Sequence, residues 1–253
     1  MVELLFWPAL LGYGEAALAY SSPRTSRAAT WGVRVGWLAQ TALLAAQAAR
    51  ADGFPWSTWA GSLNLFVWFV VGAYLIWGCR PRFRLLGLAV MPLAVALFVV
   101  ARIGGGTHAG SSSDYGNLFL VLHVGLVLAA FAGFTLAAGL SALYLWEERR
   151  LKRRAADILR LRLPPLASLE RLAWRTIVVS VPLLTLGLVI GIVRQQQRGG
   201  SIDALEAVTV LTWLVYGGFV AARPRGRNAA VVALAGFALV VLARLALAGS
   251  HFT

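Results

Sequence analysis

Apolar residues along this chain come in long, nearly unbroken runs, with cations and short polar clusters confined to the gaps between them. Eight runs stand out, near 2–20, 32–49, 62–78, 85–101, 117–146, 174–193, 205–222 and 228–247. A helix needs about 20 apolar residues to cross a hydrocarbon core about 30 Å thick. The runs lack the two-residue alternation of barrel strands, and only helices or closed barrels satisfy every backbone polar group in lipid. The pattern therefore predicts an all-α, polytopic transmembrane bundle of about eight spans. The fifth run is long enough to project beyond the membrane. The first does not read as a cleaved signal peptide, because it lacks a basic leading region and carries Glu3 and Glu15. Residues 1–253 read as one transmembrane domain, and the connectors are short except for 147–173.

Composition points to lipid as the solvent. Of 253 residues 59% are hydrophobic and 13% charged, with a mean hydropathy of +0.74. A soluble domain is about 45–50% apolar and about 25% charged. The cations then orient the spans. If the helices alternate, 18 of the 23 Lys and Arg fall on one side: Arg24, Arg27 and Arg34, Arg80, Arg82 and Arg84, nine from Arg149 to Arg175, and Arg223, Arg225 and Arg227. Only Arg50, Arg102, Arg194, Arg198 and Arg244 fall towards the other. The positive-inside rule makes the crowded side cytoplasmic and both termini extracytoplasmic. It also accounts for the net charge of +13 through topology, with no nucleic-acid partner. The stretch Glu147–Arg162 (EERRLKRRAADILRLR) is helical in propensity, basic and stopped by Pro164-Pro165. It reads either as a cytoplasmic extension of the fifth helix lying on anionic lipid head groups or as a docking surface for a cytoplasmic partner.

Chemistry-bearing motifs are scarce. Cys79 is alone, which excludes an intramolecular disulfide and a cysteine-based metal motif. There is no Walker loop, dinucleotide glycine fingerprint or HExxH. The three histidines all fall towards the outer side of this topology: His108 in the loop between spans four and five, His123 about two turns inside span five, and His251 just beyond span eight. Two imidazoles at similar depth on different helices can ligate one metal. Alternatively, His123 bonds a neighbouring helix and His251 is a tail residue. Arg244 stands seven residues before His251, on the same helical face, and an arginine within a span normally has a partner. Heme would supply an iron for the histidines and propionates for Arg244 or Arg102. His108, in the loop GGGTHAGSSSDYG, is an alternative ligand. Trp56, Trp59 and Trp213 would pack on a porphyrin or form the interfacial aromatic belt.

The stretches LHVGLVLAAFAGF at 122–134, LYLWEERRLKRR at 143–154, LASLERLAWRTI at 166–177, VPLLTLGLVIG at 181–191, LTWLVYGGFVAAR at 211–223, RGRNAAVVALAGF at 225–237 and GSHF at 249–252 follow one another in a recognisable order. They resemble the CcsA/HemX branch of the cytochrome c assembly family of heme-handling membrane proteins. The resemblance covers the last 130 or so residues, and FPWSTWAGSLNLFVWFVVGAYLIW at 54–77 is similar to the family's upstream helix pair. It implies a heme b site facing the outer side, with His123 and His251 in the positions of two axial ligands that flank a tryptophan-rich loop. Here that loop reads RQQQRGGSIDALEAVTVLTW at 194–213 and retains only Asp203 and Trp213 of its pattern. Ala221 stands where the family carries a membrane-embedded histidine.

Those departures are more similar to HemX-type members than to a full heme exporter and synthetase. The resemblance implies heme binding and delivery in cytochrome c biogenesis rather than turnover, with any lyase role depending on an assembly partner. An alternative is a HemX-type regulator of heme synthesis that docks a cytoplasmic enzyme, such as glutamyl-tRNA reductase, through 147–163. A small-solute transporter using Glu15 and Arg34 is a third reading, without the inverted repeats or paired broken helices that would support it. All three sit in a bacterial plasma membrane.

Overall fold

The computed structural model describes residues 2–21, 26–50, 56, 58–79, 83–108, 117–153, 164–198 and 204–249. Among them every regular element is helical. A short 3-10 turn (Val2–Leu5) leads into α1 (Phe6–Ala19) and α2 (Ser26–Ala48). These are followed by α3 (Trp59–Ala73), α4 (Arg84–Ile103), α5 (Asn117–Lys152), α6 (Leu166–Arg198), α7 (Ala204–Ala222) and α8 (Gly226–Gly249). Each of the eight apolar runs overlaps one of these helices, the first also taking in the 3-10 turn and the third running past Ala73 into the π-turn. Trp59–Trp77, Leu85–Ile103, Leu120–Lys152 and Leu166–Val193 are long and apolar enough to cross a bilayer, and the apolar helices Glu206–Ala222 and Gly226–Leu242 are shorter. The protein is a multi-pass membrane protein. Its apolar exterior agrees: Leu18 is 77% and Ile103 82% exposed, surfaces that only lipid or another apolar partner would cover.

Local chemistry sets the helix ends. Thr58 caps α3 by accepting a hydrogen bond from the Gly61 N–H at 3.0 Å. At its other end α3 loosens into a π-turn, Tyr74–Gly78. Pro164-Pro165 cannot continue a preceding helix and leads directly into α6. α5 runs past residue 146 because the segment Glu147–Lys152 is made of helix formers, with the Lys152 Nζ donating to Glu148 Oε1 at 2.7 Å one turn away. Arg150 lies over the Trp146 ring, 4.7 Å from its centroid.

The chain forms two compact units, residues 1–124 and 125–253, and α5 runs through the division. In the first unit α1 and α2 meet through glycines: a Cβ on Gly12 would stand 2.7 Å from the Gly36 N and 2.8 Å from the Gly32 O. Gly32 and Gly36 are a small-xxx-small pair that lets two backbones approach. Phe6 of α1 packs on Phe98 of α4 with ring centroids 4.8 Å apart. Trp37 and Trp68 stack at 5.1 Å, tying α2 to α3, and each indole N–H is satisfied: Trp37 donates to the Trp68 O and Trp68 to the Thr41 Oγ1.

The second unit has its own core, built on Ala130, Phe134, Ile177, Leu184, Tyr216 and Ala233. Phe134 and Tyr216 stack face to face at 3.9 Å, and the Tyr216 hydroxyl donates to the Ala233 O at 3.2 Å. Gly133 of α5 leaves no room for a side chain against Ser180 of α6.

Candidate functional site

Three uncharged polar side chains inside apolar helices organise the end of the first unit where α4 stops. Gln40 and Gln47 stand seven residues apart on α2, hence on one face, and Asn64 lies on α3. All three are fully buried. The Gln40 Nε2 donates to Asn64 Oδ1 at 2.9 Å and to Asn64 O at 3.0 Å, and Tyr13 O–H donates to Gln40 Oε1 at 2.6 Å. Asn64 Nδ2 donates to Gly106 O at 3.1 Å, and Gln47 Nε2 to Gly106 O at 3.1 Å and His108 O at 2.7 Å. Trp56 Nε1 donates to Gln47 Oε1 at 3.3 Å. Buried polar groups without partners cost about 1–3 kcal/mol each, so this network is stable only while its members stay engaged.

What the network grips is the turn after α4. Gly105 has a left-handed backbone, φ +82°, and a side chain on Gly106 would run into the Ala60 carbonyl. The turn returns the chain so that His108 Nδ1 lies 3.1 Å from the Gly105 O and His108 Nε2 lies 3.5 Å from Arg102 Nη1. A carbonyl oxygen only accepts, so Nδ1 carries the proton and Nε2 keeps its lone pair towards the guanidinium. Arg102 is half-buried, with Cζ 5.7 Å from the Phe6 ring centroid, and His108 is exposed.

The sequence named Arg102 and His108 separately, and the turn brings them together. Gln40, Gln47 and Asn64 leave only a faint signal in the sequence: amide side chains isolated within apolar runs. His123 is on α5 and half-buried, so its imidazole is partly accessible. Trp213, on α7, donates its indole N–H to Thr185 Oγ1 of α6 at 2.8 Å and packs against the second unit's core. Arg244 is on α8, and its side chain lies outside what is described. Asp203 and His251 lie outside the described residues. Among the described residues no three His, Cys, Asp or Glu cluster as a metal site. The donors that are described, accessible imidazoles and a half-buried guanidinium, fit the chemistry of an iron porphyrin with propionates.

Comparison with known proteins follows the same line. The family model described as cytochrome c assembly protein matches residues 56–250, from the approach to α3 through α8. The chain is 30% identical over 198 residues to a Protein HemX of Brevibacillus brevis, covering 77% of this chain and 72% of that one. It is 24% identical over 292 residues to a cytochrome c biogenesis protein CcsA of Microcystis aeruginosa, covering 94% and 89%. A Protein HemX of Bacillus subtilis is 23% identical over 173 residues, covering 67% and 62%.

Proposed function

The chain belongs to the cytochrome c assembly protein family, and from that premise we propose that it binds heme in the membrane and handles it in cytochrome c biogenesis. The observation that carries this reading is the extent of the match: residues 56–250 include Arg102, His108, His123, Asp203, Trp213 and Arg244. In this reading the eight helices are eight spans of a bacterial plasma membrane with both termini outside, supported by the 18-to-5 division of the cations. His123 and His251 donate imidazole nitrogens to heme b at the outer face, and His108 is the alternative donor. Arg102 and Arg244 neutralise the propionates, where charge-assisted hydrogen bonds in a partly dry site are strong. Asp203 and Trp213 border the site. When bound, heme supplies an iron centre whose spin state and potential follow its axial ligands. The protein's own part is to bind, orient and release the group, and a partner protein receives it.

The test is an absorption spectrum of the detergent-purified protein before and after dithionite, beside His123→Ala and His251→Ala. The expected result is a stoichiometric Soret band with low-spin reduced peaks that both variants lose. A colourless protein that also fails to take up added hemin ends this reading.

A second reading is favoured by the 30% identity to a Protein HemX and by the unbroken run of α5 to Lys152. Here the segment 147–163 docks a cytoplasmic enzyme of heme synthesis, such as glutamyl-tRNA reductase. Replacing Arg149, Arg150, Arg153 and Arg154 together with serine should abolish copurification of that enzyme and leave the heme spectrum unchanged. Undiminished copurification would exclude the segment as the contact.

A further inference from the structure

The link from α7 to α8 is Arg223-Pro224-Arg225, with Gly226 opening α8, and it is built under constraint. Arg223 has φ 47°, a left-handed conformation that costs a non-glycine residue about 1–2 kcal/mol. Gly226 follows at φ 59°, where glycine bears no such cost. Something must hold the turn, and Glu170 of α6 does: its Oε1 accepts the Gly226 N–H at 2.6 Å. The turn is thereby fixed to α6, with an arginine on each side of a proline.

Beneath it, wholly within the second unit, lies a cavity of about 660 Å³. That volume is within the range of about 300–1,000 Å³ typical of small-molecule sites. Its walls are apolar, with Leu140 of α5, Trp174 of α6 and Phe219 of α7 among them. Its rim carries three guanidiniums, Arg171, Arg223 and Arg225, all exposed. Among the described residues none of the three is in an ion pair, and the rim carboxylate, Glu170, already holds the turn. The site thus couples a mouth with three guanidiniums against one carboxylate to an apolar interior at an arginine-rich end of the second unit.

That combination selects an amphiphilic anion. Guanidinium recognises phosphate through paired N–H donors, and basic pockets between membrane helices take anionic lipid head groups. An iron macrocycle is the poorer occupant, because the described lining offers neither imidazole nor thiol to the metal. We propose that this cavity seats the phosphate of an anionic glycerophospholipid, clamped by Arg171, Arg223 and Arg225, with the lipid's apolar part against Trp174 and Phe219. The bound lipid joins α6 to the α7–α8 turn and offsets the strain at Arg223. This rests on the protein's being in a membrane and is independent of heme binding and of which leaflet the turn faces.

The probes are phosphatidylglycerol, phosphatidylcholine and inorganic phosphate, added to delipidated full-length protein in detergent and read by native mass spectrometry. The wild type should retain phosphatidylglycerol about tenfold more than phosphatidylcholine, and the R171Q/R223Q/R225Q variant should retain both alike. The single exposed variant R225E should lower phosphatidylglycerol retention without disturbing the fold. R50Q, an exposed control in the first unit, should leave it unchanged. Equal retention of the two lipids by the wild type, or undiminished phosphatidylglycerol in both rim variants, would overturn the proposal. So would displacement of the lipid by millimolar inorganic phosphate, which would make the cavity a site for free anions. The Soret band serves as an independent readout, so loss of heme binding with lipid retention intact would count against the proposed function alone.

Discussion

Gly12→Ala is expected to loosen the pairing of α1 with α2, whereas Gly14→Ala, two residues along the same helix, should be neutral or mildly stabilising. A Cβ at position 12 would meet the Gly36 N at 2.7 Å, the Gly36 Cα at 2.8 Å and the Gly32 O at 2.8 Å. All three obstacles are backbone atoms, which cannot rotate away as the tip of a flexible side chain would. The helices must separate, and the contacts that their close approach allows are lost with it, including the packing of the fully buried Tyr13 beside Gly36. Overpacking costs about 1–3 kcal/mol, and backbone obstacles put this case at the upper end. At position 14 a Cβ would meet nothing within 4 Å. There the change should gain up to about 1 kcal/mol from helix propensity. Thermal unfolding in detergent, followed by circular dichroism, measures both. Equal midpoints for the two variants would mean that α1 and α2 do not depend on this close approach. Gly12→Leu should exaggerate the loss, because the longer side chain cannot stay within the interhelical gap.

Why the glycine pair escaped a reading of the pattern, while the helices did not, has a physical answer. Lipid and protein cores both demand apolar residues, so eight apolar runs announce eight helices irrespective of what each face touches. The same uniformity hides the faces. Gly12 and Gly14 are indistinguishable in a hydropathy pattern, and only the partner helix separates them. Boundaries blurred for a related reason. The sixth apolar run begins at 174, yet α6 starts at Leu166, because LASLERLA is amphipathic and its apolar positions Leu169 and Ala173 are buried. The candidate site divided along similar lines. His108 and Arg102 were legible as rare residue types in an apolar chain. Their pairing was not, since it depends on a left-handed glycine and on amides contributed by α2 and α3, far away in sequence.

That dependence yields the second large effect. Asn64→Leu is expected to destabilise the first unit by about 2–4 kcal/mol, from three buried hydrogen bonds lost at about 0.5–1.5 kcal/mol each. Leucine has as many side-chain heavy atoms as asparagine, so no cavity is opened and the loss is chiefly one of hydrogen bonding. Three groups lose a partner: Gln40 Nε2, Gln47 Oε1 and Gly106 O. Each keeps another partner: Gly106 O the Gln47 amide, Gln40 the Asn64 carbonyl, and Gln47 Oε1 the Trp56 indole N–H, so the network is weakened rather than abolished. The turn 104–108 should feel it first. The amides of Gly104, Gly105, Gly106 and His108 are bonded to Val100, Arg102, Ala101 and Gly105 carbonyls, local bonds that persist only while the turn is gripped from above. Hydrogen exchange at those four amides should accelerate at least about tenfold, while amides of α6 around Leu184, in the other unit, exchange as before. Gln47→Leu should give the same pattern, and the double variant less than the sum, because the two side chains share Gly106 O. Additive losses, or exchange that rises equally in both units, would show that the amide network does not hold the turn. The His108–Arg102 pairing would then rest on the glycines alone.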